Sequence, residues 1–363
     1  MSEEDAERLL RGAFDEQARA YVDDQRVPPP PRFAHLESTA TRRRAHRLAP
    51  FAAAAAVIAV VGGVTLGLVA AGNHSGPDRT LALPRHSPSR TAAASGIPPI
   101  GAHAVRIRAA TPGGRTYGVG IPVVAYFSRR FPSAKELNAA TTVTANGVRV
   151  PVSWYFERSP ADSSYPVEGH LRPREFWPAH AQVTVTVPAR GLPAGSGYTF
   201  ADGMHLSFRT GPRQIALVDD RSHRLTLSRD GRVIASYPVS LGGPQTPTMR
   251  GTKVVMAKGT PLCLSGPGYH ECNIRYTQRL SYSGEYLISA PWNAANIERG
   301  VDTSSGCTNL MPADARHLYR VMRVGDVVEY PNSKGPAMTP QLGFGDWDVP
   351  WRVWRGGGLI PTH

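Results

Sequence analysis

Cys307 is the residue of this chain best equipped to do chemistry. It lies in Thr303-Ser304-Ser305-Gly306-Cys307-Thr308-Asn309, a thiol in a run of small residues where Gly306 permits close backbone approach. The chemistry open to it is acyl transfer, which needs a thiolate, an oxyanion stabiliser and a proton donor for the leaving amine. An unperturbed thiol is a few per cent ionised at neutral pH, a cost of about 2 kcal/mol, whereas general acid–base assistance is worth about 10² to 10⁴ in rate. The histidines considered for that role are His270, in the stretch before the cysteine, and His317, ten residues after it. Cys263 and Cys272, nine positions apart among glycines and prolines, either form a disulfide that leaves Cys307 as the free thiol, or all three cysteines are reduced. No metal-ligand spacing is present, so neither metal nor cofactor is expected.

Several separated blocks give this cysteine a context. Thr246-Pro247-Thr248, Ser281-Tyr282-Ser283-Gly284, Ile288-Ser289-Ala290-Pro291-Trp292, the cysteine block and a terminal pattern of Gly345-Asp346-Trp347, Pro350-Trp351 and Trp354 follow in that order. Together they resemble the L,D-transpeptidases (the YkuD family), cysteine enzymes that cross-link bacterial peptidoglycan, and the resemblance spans roughly residues 101 to 358. In that family two blocks read His-Ser-Ala-Pro-Trp and Ser-His-Gly-Cys. Here Ile288 stands where the base is expected and Ser305 where the second histidine is expected.

The resemblance implies Cys307 as nucleophile, backbone amides around Gly306 as the oxyanion pocket, and Ser289 as the residue that would orient the base. It further implies Trp292 and Asn309 as residues shaping the site, and Tyr269 on a lid over it. His270, beside Tyr269, is the candidate substitute base. The implied reaction takes the acyl group of a tetrapeptide stem, releases its terminal D-alanine and passes the acyl group to the amine of a neighbouring stem. A non-catalytic module that holds stem peptides in the same groove is the alternative, motivated by the loss of both histidines.

The elements that must position these residues read as mainly β. Residues 101–211 carry short strands such as Val123–Phe127, Val152–Phe156 and Val183–Val187, with Asn146-Gly147 as a hairpin turn, and suggest an immunoglobulin-like sandwich. Leu171 to Pro178 resembles the strand and turn of the immunoglobulin-like domain that precedes the catalytic domain in mycobacterial-type L,D-transpeptidases. Residues 213–333 read as a second β-rich unit, with a hairpin at Asp230-Gly231, a helix over Pro312 to Arg323 and a final strand at Val327–Tyr330. Residues 334–363 form a Trp-rich C-terminal subdomain, which the resemblance places on the catalytic domain.

Ahead of these lies a different chain. Residues 51–72 are uncharged and apolar, long enough to cross a bilayer as a helix; Arg42, Arg43, Arg44 and Arg47 precede them and no basic cluster follows. The asymmetry predicts a single-pass anchor in the cell membrane, a cytoplasmic tail at 1–50 with no motif naming its partner, and folded domains facing the cell wall. A cleaved signal peptide is the second reading. Residues 73–100 read as a disordered linker. The tail holds nine arginines and nine acidic residues, so the formal net charge of +13 belongs to the remainder, where it suits anionic wall polymers or lipid head groups and, on that topology, not nucleic acid.

Overall fold

The computed structural model describes residues 103–363 except 161–163, 260, 267 and 268. The predicted tail, membrane span and linker lie outside the described residues, among which no helix is long and apolar enough to cross a membrane.

Alternation of buried valines with outward polar residues builds the first domain. In Gln182–Val187 the side chains of Val183, Val185 and Val187 face inward, and Met204–Thr210 pairs antiparallel to it with the same period. These strands belong to a five-stranded sheet that also holds Thr116–Tyr117, Thr142–Ala145 and Val148–Arg149. The facing sheet runs Ile107–Ala109, Val123–Phe127, Val167–Pro173, Val152–Arg158. Between them Phe127, Trp154, Phe156, Trp177 and Phe208 are buried, each worth about 1.5–3 kcal/mol on removal from water. Asn146 and Gly147 both take positive φ, as the predicted two-residue hairpin requires, and so do Asp230 and Gly231.

Two larger sheets and a two-stranded hairpin build the second domain among the described residues. One runs Arg232–Pro238, Arg224–Arg229, Gln214–Asp219, Val327–Tyr330, Gly251–Val254, and only the Gln214–Asp219 and Val327–Tyr330 pair is parallel. The other runs Ala257–Gly259, Thr277–Arg279, Tyr286–Ser289, Thr308–Leu310, its last pair parallel. The helix Pro312–Val321 buries Ala315 and Leu318 and stops two residues short of the predicted end, because Met322 is already extended ahead of the turn at Gly325.

The Trp-rich C-terminus, expected on the catalytic domain, contacts both domains. Arg172, buried in the first domain, lies beneath the rings of Trp347, Trp351 and Trp354 and donates to the carbonyls of Asp346 (3.0 Å) and Val349 (2.8 Å). Trp354 donates to Ser153 O at 2.9 Å and stacks on Tyr155, while Asp348 accepts from Thr252 N at 2.7 Å in the second domain. The segment thus ties the two domains together. Gly118 and Gly120 complete the seam by donating to the carbonyls of Val324 (2.8 Å) and Gly325 (2.9 Å), an approach that no Cβ at Gly118 would permit.

Candidate active site

Parallel pairing explains why residues far apart in the chain meet at Cys307. Tyr286–Ser289 leads into a short 3₁₀ turn and the helix Ala294–Arg299, and the chain returns as Thr308–Leu310 with Ile288 opposite Asn309. Cys307 enters that returning strand one residue before Thr308. The turn before it is held by side chains of the Thr246-Pro247-Thr248 block: Thr248 Oγ1 donates to Gly306 O at 2.9 Å and Thr246 Oγ1 donates to Ser304 O at 3.1 Å. Ser304 Oγ donates to Cys307 O at 2.6 Å, and Gly306 has φ +101°, a left-handed conformation in which glycine carries no Cβ penalty. With those carbonyls occupied, the N–H groups of Gly306 and Cys307 make no backbone hydrogen bond among the described residues, and they are free to meet a developing oxyanion.

The surroundings of the thiol are apolar. Cys307 is 7% exposed and belongs to a hydrophobic cluster with Ile274, Tyr286 and Ile288, against which Leu262 and Leu264 pack. Ile288, at the position where the resemblance expects an imidazole, is therefore in the wall of the nucleophile's pocket as a hydrocarbon. Leu262, Leu264 and Ile274 come from the hairpin Leu262–Gly266 and Tyr269–Ile274, cross-linked by a Cys263–Cys272 disulfide, so Cys307 is the free thiol. Burial pushes the Cys307 thiol up to about 12; the Tyr286 backbone N–H opposes this, Glu285 adds to it and Lys253 opposes it. At pH 7 such a thiol costs about 7 kcal/mol to ionise, against the 2 kcal/mol of an unperturbed one.

Behind the cysteine lies a buried ion pair. Lys253 Nζ bonds Glu285 Oε2 and sits 3.9 Å from the centre of the Tyr330 ring, and Glu285 Oε1 accepts from Met249 N at 2.7 Å. Burial pulls the Lys253 ammonium down and pushes the Glu285 carboxyl up, while each partner opposes that change in the other. The sequence reading missed both residues. Alternation gave no signal for Lys253, because its neighbour Val254 is buried as well.

The remaining candidates separate into two groups. Ser289 and the half-exposed Trp292 line a cavity of about 520 Å³ together with Glu271, Asn273, Arg275 and Arg316, and Ile274 belongs both to that lining and to the cluster around Cys307. Asn309 is buried, its backbone exchanging hydrogen bonds with Ser240 and its side-chain oxygen without a partner among the described residues. Ser305 is exposed. His270, the candidate substitute base, is exposed with Nε2 3.3 Å from Cys272 Sγ. His317 Nδ1 is taken up by the Tyr237 hydroxyl. The Tyr269 side chain lies outside the described residues.

Residues 213–329 match the model of the L,D-transpeptidase catalytic domain (YkuD), and residues 101–193 match that of a bacterial Ig domain. The chain is 30% identical over 256 residues to L,D-transpeptidase 2 of Mycobacterium tuberculosis, and 31% identical over 253 residues to L,D-transpeptidase 5 of the same species. Those alignments take in 67% and 68% of this chain but only 60% and 55% of the relatives' own lengths. The solved structure of LD transpeptidase LdtMt1 in complex with imipenem matches with TM-score 0.50 and 26% identity, over 61% of this chain and 97% of that one. On the matches of both domain models and of the mycobacterial relatives, the chain carries an L,D-transpeptidase (YkuD) catalytic domain with a bacterial Ig domain ahead of it.

Proposed function

We propose that this protein is a membrane-anchored, L,D-transpeptidase-like acyltransferase that acts on peptidoglycan stem peptides through Cys307, and that it does so without an imidazole base. The observation that carries the reading is the turn at Gly306 and Cys307, where side chains of Thr248 and Ser304 occupy the carbonyls and leave two N–H groups beside the thiol. In the reaction the sulfur attacks the carbonyl that joins the stem's third residue to the terminal D-alanine. The oxyanion meets those amides, the C–N bond breaks, and the thiol's proton passes through water to the departing amine. An acceptor amine from a neighbouring stem then takes the acyl group from sulfur and the thiol is restored. The hairpin carrying Leu262, Leu264 and Ile274 must lift for substrate to reach sulfur. The apolar run at 51–72 and the arginines before it support the anchor, with the folded domains toward the wall.

A second reading is favoured by one observation: Ile288 packs against Cys307 and the thiol is held at about 12. On it the same groove holds stem peptides and does no chemistry. Intact mass of the full-length chain after incubation with a tetrapeptide-stem donor, and separately with imipenem, distinguishes the two. An adduct on the native chain that is absent from Cys307→Ala supports acyl transfer. Stem binding without an adduct from either reagent overturns it and leaves the binding module.

A further inference from the structure

A cluster of buried ionisable side chains lies away from Cys307, in the seam between the first domain and the C-terminal segment. Glu157 on Val152–Arg158 stands directly opposite Glu168 on Val167–Pro173, and both are buried. Like charges in directly opposed positions are unfavourable even at a surface, and burial removes the solvent screening that would soften the repulsion. His170 shares the sheet face of Glu168, two residues on. Its Nδ1 lies 2.9 and 3.0 Å from the two oxygens of Asp346, and its Nε2 lies 2.6 Å from Glu168 Oε1 and 3.8 Å from Glu157 Oε1. The Tyr282 hydroxyl donates to Glu168 Oε1 at 3.3 Å.

The hydrogen bonds leave this cluster incomplete. Glu157 is 3% exposed, yet neither of its oxygens has a hydrogen-bond partner, and Glu168 Oε2 has none either. Arg172, the neighbouring cation, spends its NH1 and NH2 donors on the carbonyls of Pro173, Arg174, Asp346 and Val349. Three carboxylates therefore share one imidazole.

We propose that Glu157, Glu168 and His170 form a buried site for a first-row divalent cation such as zinc, with Asp346 as the carboxylate that orients the histidine. Asp346 accepts the Nδ1 proton, which turns the Nε2 lone pair toward the two glutamates, the arrangement by which metal-ligating histidines are usually fixed. Nitrogen and carboxylate oxygen are a donor set suited to zinc or manganese. Bonds of about 2.0 Å in tetrahedral geometry put ligand atoms about 3.3 Å apart, a value bracketed by the 2.6 and 3.8 Å between Nε2 and the two glutamate oxygens. A dication with Arg172 beside it balances three carboxylates. The donor atoms of all three residues lie within 4.8 Å of one another. A second group with that proximity, Asp220, His223 and Asp302, already has Lys334 between its carboxylates at 3.3 and 3.4 Å, so it serves as the control.

The test is metal content of the full-length chain by inductively coupled plasma mass spectrometry, together with its melting temperature. The expected result is about one equivalent of zinc or manganese that survives dialysis against EDTA in the folded protein. Unfolding in EDTA removes it, and refolding with zinc raises the melting temperature over refolding without. Glu157→Gln should lose the metal and melt lower, whereas Asp220→Asn should keep it. If the folded wild type holds no metal and zinc leaves its melting temperature unchanged, the proposal fails. It fails equally if Glu157→Gln melts higher than wild type, since removing one of two opposed carboxylates helps only where no cation bridges them, or if the metal leaves with Asp220→Asn. Should Glu157→Gln not fold, the wild-type measurements decide alone.

Discussion

Cys307 and His170 are both buried, and their neighbours treat them in opposite ways. Around the thiol, the side chains of Ile274, Tyr286, Ile288, Leu262 and Leu264 bury it among carbon, and that burial outweighs the help an anion would get from the Tyr286 N–H and from Lys253, so the group stays protonated. Around the imidazole, burial would pull the value down, but Asp346 and Glu168 more than offset it and hold it well above its ordinary value. A carboxylate-oriented histidine is what a cysteine acyltransferase wants at its nucleophile, and here one exists in the domain seam. The nucleophile itself has hydrocarbon. What the pair teaches is that burial by itself decides little; the partners that burial brings along decide whether a group is charged.

The largest effect that would sharpen this contrast comes from putting the imidazole back. Ile288→His places a base beside Ser289 and against Cys307, and should raise the rate of imipenem adduct formation by about 10² to 10⁴, the usual worth of general acid–base assistance. Stopped-flow absorbance at the β-lactam band reads it. An unchanged rate would show that the cover formed by Leu262, Leu264 and Ile274 limits access, and that the missing base is secondary.

Next in size is the ion pair behind the thiol. Glu285→Gln removes the carboxylate that pairs with the buried Lys253 ammonium, and breaking a buried pair on one side costs about 3–5 kcal/mol. Replacing both members, as Lys253→Met with Glu285→Leu, should recover most of that loss. Urea unfolding checks both. If the single substitution costs less than the double one, the pair is not acting as a unit, and the region behind Cys307 is less like the His170 seam than its charges suggest.

How much of this was legible depended on distance along the chain. The hairpins at Asn146-Gly147 and Asp230-Gly231 announce themselves in two residues, because left-handed backbone is cheap for little else. The alternating strand Gln182–Val187 was equally local. At the site, the block order pointed to Cys307 and to the two absent histidines, and the parallel register of Ile288 with Asn309 gives that order its meaning. No pattern, however, could say that hairpin leucines would cover the sulfur or that Lys253 would find Glu285 thirty-two residues later. The seam was harder still. Glu168 and His170 share a strand face, but Asp346 reaches His170 from 176 residues away, and Arg172 draws the tryptophans onto the first domain through carbonyls that have no sequence signature.

The smallest effect per step is the pH response of the thiol, and it follows from the raised value alone. Below about 12 the reactive thiolate fraction grows tenfold with each pH unit, so adduct formation on the native chain should climb steadily from pH 7 to pH 10 with no plateau. An imidazole-activated thiol behaves differently: in Ile288→His the profile should flatten near the histidine's own titration, at about pH 6.5 to 7.5. Stability moves the other way. The thiol ionises near 9 when unfolded and near 12 when folded, so the native state keeps a proton that the unfolded chain gives up. That contribution is whole below pH 9 and lost as pH rises toward 12, by about 4 kcal/mol in all. In Cys307→Ala this slope should vanish from urea midpoints measured between pH 9 and 11. A native chain whose adduct rate levels off near neutrality would mean that some group ionises the sulfur after all, and the contrast between the hydrocarbon pocket and the charged seam would not hold.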